Sequence, residues 1–245
     1  MPLFKVPSGE LTNGPLLWQF ANTGKKLVLS TGMATLSEVE QALAIVAHAL
    51  VSTAEPKSLD EVWENWGRSS SRKMLCGHVT LLHCTSQYPT PWGEVNLRAM
   101  DTLAAAFGLE VGYSDHTVGG LISIAAVARG AKVIEKHFTL SRALPGPDHL
   151  SSLEPDELKA MVSDIRALEQ ALGDGAKAPQ DSEWDTRRAA RQQVVASCDI
   201  PLGSVYTRAH LTTARSGQGL PATMLWELVG KKASRSYTAG ENIDL

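Results

Sequence analysis

The chain has 245 residues and a mass of 26.3 kDa, with 43% apolar and 20% charged residues and a mean hydropathy of -0.09. These are the values of a globular protein; they exclude a disordered or fibrous chain, and no apolar run approaches the roughly 18 residues of a membrane-spanning helix. A formal net charge of -3 gives no reason to expect a nucleic-acid partner, and three widely spaced cysteines with no signal-peptide layout point to a reducing cytoplasm.

Short apolar runs alternate with amphipathic stretches through the first 175 residues. Strands are expected over 3–6, 27–31, 78–84, 110–113 and 132–138, each followed by small or polar residues and then a helical pattern. The first helix starts near Asn13 and Pro15 and stops at Gly24. The second opens on Thr35 with Glu38 three residues on, a capping-box spacing, and Leu36, Val39, Leu43, Val46 and Leu50 form its apolar stripe. Further helices are expected over 97–107, 122–129 and 155–172, the last closed by Gly173. Residues 52–77 read as an insertion whose Trp63 and Trp66 pack rather than bind. Five successive β-then-α units predict a parallel α/β architecture. Residues 176–190 read as a linker with a helical turn, and 191–245 as a small, turn-rich β domain.

The strand ends carry the chemistry, as they do at the C-terminal face of a parallel barrel. Lys5 lies inside a Phe/Val strand and is either an anion clamp or an edge lysine facing solvent. Ser30-Thr31-Gly32-Met33 suits an oxyanion site but is also an ordinary helix entry. Cys84, on an apolar strand, reads as a small core residue. Ser114-Asp115-His116 is no hydrolase triad, because neighbours on one strand face opposite ways, so His116 reads as a ligand or an acid/base. Glu135-Lys136-His137 puts three ionisable residues at the end of a buried strand. Two histidines on neighbouring strand ends favour a divalent metal, and Asp148, presented by the rigid loop Pro145-Gly146-Pro147, is a functional carboxylate or a turn-former. Together these groups suit a phosphorylated anionic substrate and a polarised carbonyl, as in an aldol-type condensation.

The runs Lys5-Val6-Pro7-Ser8-Gly9-Glu10, Leu29-Ser30-Thr31-Gly32-Met33, Leu82-His83-Cys84-Thr85, Tyr88-Pro89, Val95-Asn96-Leu97-Arg98, Gly112-Tyr113-Ser114-Asp115-His116-Thr117, Glu135-Lys136-His137-Phe138 and Pro145-Gly146-Pro147-Asp148-His149 resemble the sialic acid synthases. The second domain resembles the antifreeze-like (SAF) module that follows the barrel in that family, through Val194-Val195-Ala196, Asp199-Ile200 and Arg215-Ser216-Gly217-Gln218-Gly219-Leu220. Ser216 stands where the family usually has proline.

The resemblance implies a cytoplasmic enzyme that condenses phosphoenolpyruvate with an N-acylated hexosamine, N-acetylmannosamine or a diacetamido analogue, to a nonulosonic acid and phosphate. It implies that Lys5, Ser8, Ser30, Ser86 and Ser114 hold the phosphate and carboxylate of phosphoenolpyruvate, and that Glu10 stands near the enol pyruvate. Tyr88 and Asp148 would face the sugar, and His116 and His137 would bind the divalent metal, Mn²⁺ first and Mg²⁺ as the alternative. Arg215 would reach the partner's site in a domain-swapped homodimer. The family's barrel has three further units at its start, with motifs that this sequence lacks. The expected fold is therefore an incomplete TIM-type (β/α) barrel of five units over 1–175, a linker over 176–190 and an SAF domain over 191–245. An alternative expectation is a catalytically incompetent remnant that acts only in ligand binding or subunit association.

Overall fold

The computed structural model describes residues 2–245, which divide into two compact units, up to Asp174 and from Gly175. The first unit is built on five parallel strands in the order β1-β2-β3-β4-β5: β1 Leu3–Val6, β2 Lys26–Ser30, β3 Val79–His83, β4 Glu110–Asp115 and β5 Ile134–Lys136. The helices between them are α1 Gly14–Ala21, α2 Leu36–Val51, α5 Ala99–Phe107 and α6 Leu121–Ala128, with α7 Pro155–Leu172 after β5. The insertion before β3 folds into two short helices, α3 Leu59–Trp66 and α4 Ser69–Lys73. Trp66 packs there, its indole donating to Glu40 at 2.9 Å.

Local chemistry explains the helix starts. Asn13 accepts the Leu16 amide at the head of α1. The Thr35 and Glu38 capping box forms, with Glu38 accepting the Thr35 amide at 2.7 Å and Thr35 accepting the Glu38 amide at 3.3 Å.

Strand register sorts the side chains into two faces. Val6, Leu29, Leu81 and Val111 lie in one register row, all buried, and pack outward against Leu17 of α1, Leu43 and Val46 of α2, and Met100 and Leu103 of α5. Each such side chain contributes about 1.5–3 kcal/mol relative to exposure. The opposite face carries Lys5, Ser30, Leu82, Gly112, Ser114 and Glu135. Lys5 on β1 meets Glu135 on β5 at 3.3 Å, although these strands are the two ends of the sheet. The sheet is thus curled into a half-barrel with a concave polar face, and the outer edges of β1 and β5 are unpaired among the described residues. The fold is an incomplete TIM-type barrel. Lys5 faces the concave side and pairs there with the Glu135 carboxylate, with its side chain still 30% exposed.

The strand expected over 132–138 is shorter, Ile134–Lys136, although the Lys132 amide already donates to the Val111 carbonyl and the Val133 carbonyl accepts the Tyr113 amide, both at 2.9 Å. By contrast β4 extends two residues beyond the expected Tyr113, to Asp115.

The second unit contains α8 Trp184–Ala190, the antiparallel pair β6 Gln193–Ala196 and β7 Leu211–Ala214, and α9 Leu225–Leu228. Its own core gathers Val194, Ala196, Ile200, Tyr206, Leu211, Leu228, Tyr237 and Ile243. The stretch expected as a linker with one helical turn contains α8. No helix among the described residues is long and apolar enough to cross a membrane.

Candidate functional site

The polar groups gather at the C-terminal ends of the five strands. Glu135 is the hub. One of its carboxylate oxygens accepts the Ser114 hydroxyl at 2.7 Å and lies 3.3 Å from Lys5 Nζ. Ser114 Oγ is in turn 3.4 Å from His116 Nε2. The His116 and His137 rings stand edge to face with centroids 5.3 Å apart. Tyr88 lies over both rings, 4.1 Å from His116 and 5.4 Å from His137. Asp148 Oδ2 lies 4.0 Å from His137 Nδ1. One continuous chain of contacts therefore runs Lys5, Glu135, Ser114, His116, His137, Asp148.

A second group sits around Gly32. Its amide donates to Ser8 Oγ at 3.0 Å, and Ser8 Oγ contacts the buried Cys84 Sγ at 3.1 Å. A Cβ on Gly32 would stand 2.3 Å from Ser86 Oγ and 2.8 Å from both Cys84 Sγ and Ser8 Oγ. Only glycine lets these three side chains converge here. Ser30, on the concave face of β2, is 2% exposed, and its hydroxyl has no partner among the described residues. A buried hydroxyl without a partner is costly and marks a place where a ligand oxygen would be favourable.

Burial lowers the His116 imidazole below the ordinary histidine value, against the opposing pull of the Thr85 carbonyl, while the nearby His137 lowers it further. Burial, and then the neighbouring Cys84, Asp148 and Glu135, raise the Tyr88 phenol. His116 Nδ1 lies 2.7 Å from the Thr85 carbonyl, a contact that needs the proton on Nδ1, while Nε2 faces Ser114 Oγ at 3.4 Å. His116 and His137, with ring centroids 5.3 Å apart, are the two imidazoles here that could hold a divalent cation, its other ligands coming from water or substrate. No group of three metal-ligating side chains is assembled among the described residues.

Not every expected residue joins this cluster. Glu10 lies in the turn after β1 and accepts the Asn13 side-chain amide at 2.6 Å. Arg215 is an exposed residue of the second unit, just beyond β7. Conversely, Glu135 is central to the site, although the sequence reading assigned it no role. The signal was available: the face alternation that separates Asp115 from Ser114 and His116 also puts Glu135 with His137 and turns Lys136 away. The segment carrying Asp148 leaves and rejoins the sheet at one point, where the Leu153 amide donates to the His137 carbonyl and the Thr139 amide to the Leu153 carbonyl, both at 2.9 Å.

The first unit is a half-barrel whose mouth is lined by a lysine, hydroxyls and two imidazoles, and a small β unit follows it in sequence. The NeuB family pattern matches residues 1–177 and the SAF domain pattern residues 191–244. The chain belongs to the NeuB family. It is 44% identical to the N,N'-diacetyllegionaminic acid synthase of Campylobacter jejuni, over 99% of this chain and 66% of that protein. It is 41% identical to the Legionella pneumophila enzyme of the same name, over 98% of this chain and 61% of that protein, and 36% identical to human N-acetylneuraminate-9-phosphate synthase, over 95% and 58%. The chain thus spans less than two thirds of the length of these relatives. Among solved structures, the N-acetylneuraminic acid synthetase of Leptospira borgpetersenii, in complex with citrate, superposes with a TM-score of 0.61 at 33% identity, covering 78% of this chain and 59% of that one.

Proposed function

We propose that this chain carries the greater part of the site of a nonulosonic acid synthase, which condenses phosphoenolpyruvate with an N-acylated hexosamine and releases phosphate. The observation that carries this reading is the unbroken contact chain from Lys5 through Glu135 and Ser114 to His116 and His137 on one concave sheet face. Lys5, Ser8, Ser30 and Ser86 supply the cation and hydroxyls that a phosphate and a carboxylate require. Tyr88 and Asp148 lie beside the histidines, where the aldehyde end of the sugar would sit. Carbon 3 of the enol pyruvate attacks the aldehyde carbon, water adds at carbon 2, and phosphate leaves with cleavage of its bond to that carbon. Glu135, with Lys5 and Ser114 on one oxygen, is placed to take the proton of the added water. A divalent cation held by His116 and His137, Mn²⁺ in this reading, would supply Lewis-acid polarisation of the aldehyde oxygen.

In a homodimer, Arg215 of one copy reaches the carboxylate-bearing substrate in the site of the other. Mixing His137→Ala and Arg215→Ala chains tests this through partial recovery in the mixed dimer; no gain over the two parents counts against it.

The decisive experiment follows phosphate release from phosphoenolpyruvate by the purified chain with Mn²⁺, comparing N-acetylmannosamine with a 2,4-diacetamido sugar. Sugar-dependent release supports the assignment. The unpaired edges of β1 and β5 favour a second reading, a remnant that binds ligand or partner without turnover. Phosphoenolpyruvate binding without release supports that one.

A further inference from the structure

We infer that the Asp115–Lys136 ion pair, on the outer face of the sheet, is a positioning device that fixes β5 in the single register bringing Glu135 to Ser114 and His137 to His116. This rests on the proposed reading of the site. Asp115 and Lys136 are register partners, and Ser114 and Glu135 occupy the preceding pair on the opposite face. Lys136 Nζ lies 3.1 Å from Asp115 Oδ2, with side-chain exposures of 3% and 0%. The rest of the carboxylate is fully engaged. Asp115 Oδ1 accepts the Thr117 amide and hydroxyl, both at 2.8 Å, and Oδ2 accepts Ser123 from α6 at 2.6 Å. Lys136 also donates to the Thr117 carbonyl.

An apolar pair of similar volume would join the strands as well or better, so cohesion alone does not explain two charges buried here. Register does. With three residues and one neighbour, β5 is weakly specified by its backbone bonds. A slip of one residue would turn Glu135 and His137 to the outer face. A slip of two would keep the faces but leave Asp115 and Lys136 buried apart, each an uncompensated charge. The pair therefore penalises both errors at the point where the candidate ligands sit.

Either single neutralisation leaves a lone buried charge and is expected to loosen the β4–β5 edge. The decisive variant is the neutral double Asp115→Asn/Lys136→Met, in which the amide oxygen keeps the two Thr117 hydrogen bonds and the amide NH2 donates to the Ser123 hydroxyl in place of accepting from it. In the histidine-labelled 245-residue chain, the double variant is expected to fold while losing the ring-to-ring contact of His116 and His137 by NMR. Its affinity for Mn²⁺ alone, measured by calorimetry, is expected to fall roughly 10–100-fold. A folded double variant with the wild-type ring contact and Mn²⁺ affinity would overturn the inference. So would a double variant that does not fold, since the pair would then hold the fold rather than tune the site. If the wild-type chain itself takes up no Mn²⁺, the metal reading fails, and the ring contact in the double variant still decides the positioning role.

Discussion

Replacing Gly112 with alanine tests whether the concave face is as closely built as its contacts imply. A Cβ at this position would stand 2.3 Å from the Val133 carbonyl oxygen, 2.6 Å from Leu82 Cδ2 and 3.0 Å from Val133 Cβ. The nearest atom is backbone, so no rotamer change relieves it. The Val133 segment has to retreat by about 1 Å to restore an ordinary C···O separation of about 3.3–3.6 Å. That retreat breaks the Tyr113 amide bond to the Val133 carbonyl, now 2.9 Å, which leads into β5. Overpacking costs about 1–3 kcal/mol and a lost hydrogen bond about 0.5–1.5 kcal/mol, so the total is about 2–4 kcal/mol. For a chain of this size the melting transition should fall by roughly 5–15 °C. Differential scanning calorimetry provides an internal control, because only the transition of the first unit should move. Gly93→Ala, where an added Cβ meets nothing within 4 Å, should leave both transitions in place. A Gly112→Ala chain that melts within about 2 °C of wild type would refute the argument that β4 and β5 are in backbone contact here.

Lys5→Met should change stability by less than about 1 kcal/mol, because the pair with Glu135 is partly exposed, while weakening phosphoenolpyruvate binding by at least about tenfold in calorimetric titration. His83→Gln should flatten the acid side of the stability profile. Burial holds the His83 imidazole below its ordinary value of about 6.5, so the folded chain binds fewer protons than the unfolded one, and wild-type stability falls as pH drops below that value. Urea titrations between pH 8 and pH 5 should show the slope in wild type and a shallower one in the variant, reduced by the share of about one titrating group, because the buried His116 still contributes. Thr35→Ala removes one side of the α2 capping box and should cost about 0.5–2 kcal/mol, read from urea unfolding.

The elements of the first unit were legible because each carries its own local signal. The Thr35 and Glu38 spacing and the Asn13 cap fixed two helix starts, and the Val- and Leu-rich runs fixed the strands. The ends of β4 and β5 were not, because strand length there depends on a neighbour, which no local pattern reports. Lys5 was undecidable from its own strand; its environment is set by the curl that brings β5 across to it. The Asp115–Lys136 pair was invisible for the same reason, since two residues 21 positions apart become partners only through strand register. The unpartnered Ser30 hydroxyl is likewise a property of packing, with no counterpart in composition.

The twin hydrogen bonds at Leu153 have a consequence for how the site can diversify. They pinch the segment 140–152 at its base, so that it leaves the sheet just after His137 and returns to the same point before α7 begins. Asp148 rides on this excursion, whereas Glu135 belongs to β5 and His137 directly follows it, before the pinch. Length and composition can change inside the loop without pulling on the strand, as in other compact loops with closely tied ends. Under the proposed function, the carboxylate that would face the sugar and the groups that would act on it are carried by separately anchored stretches of chain, so that one could be rewritten while the other is inherited intact.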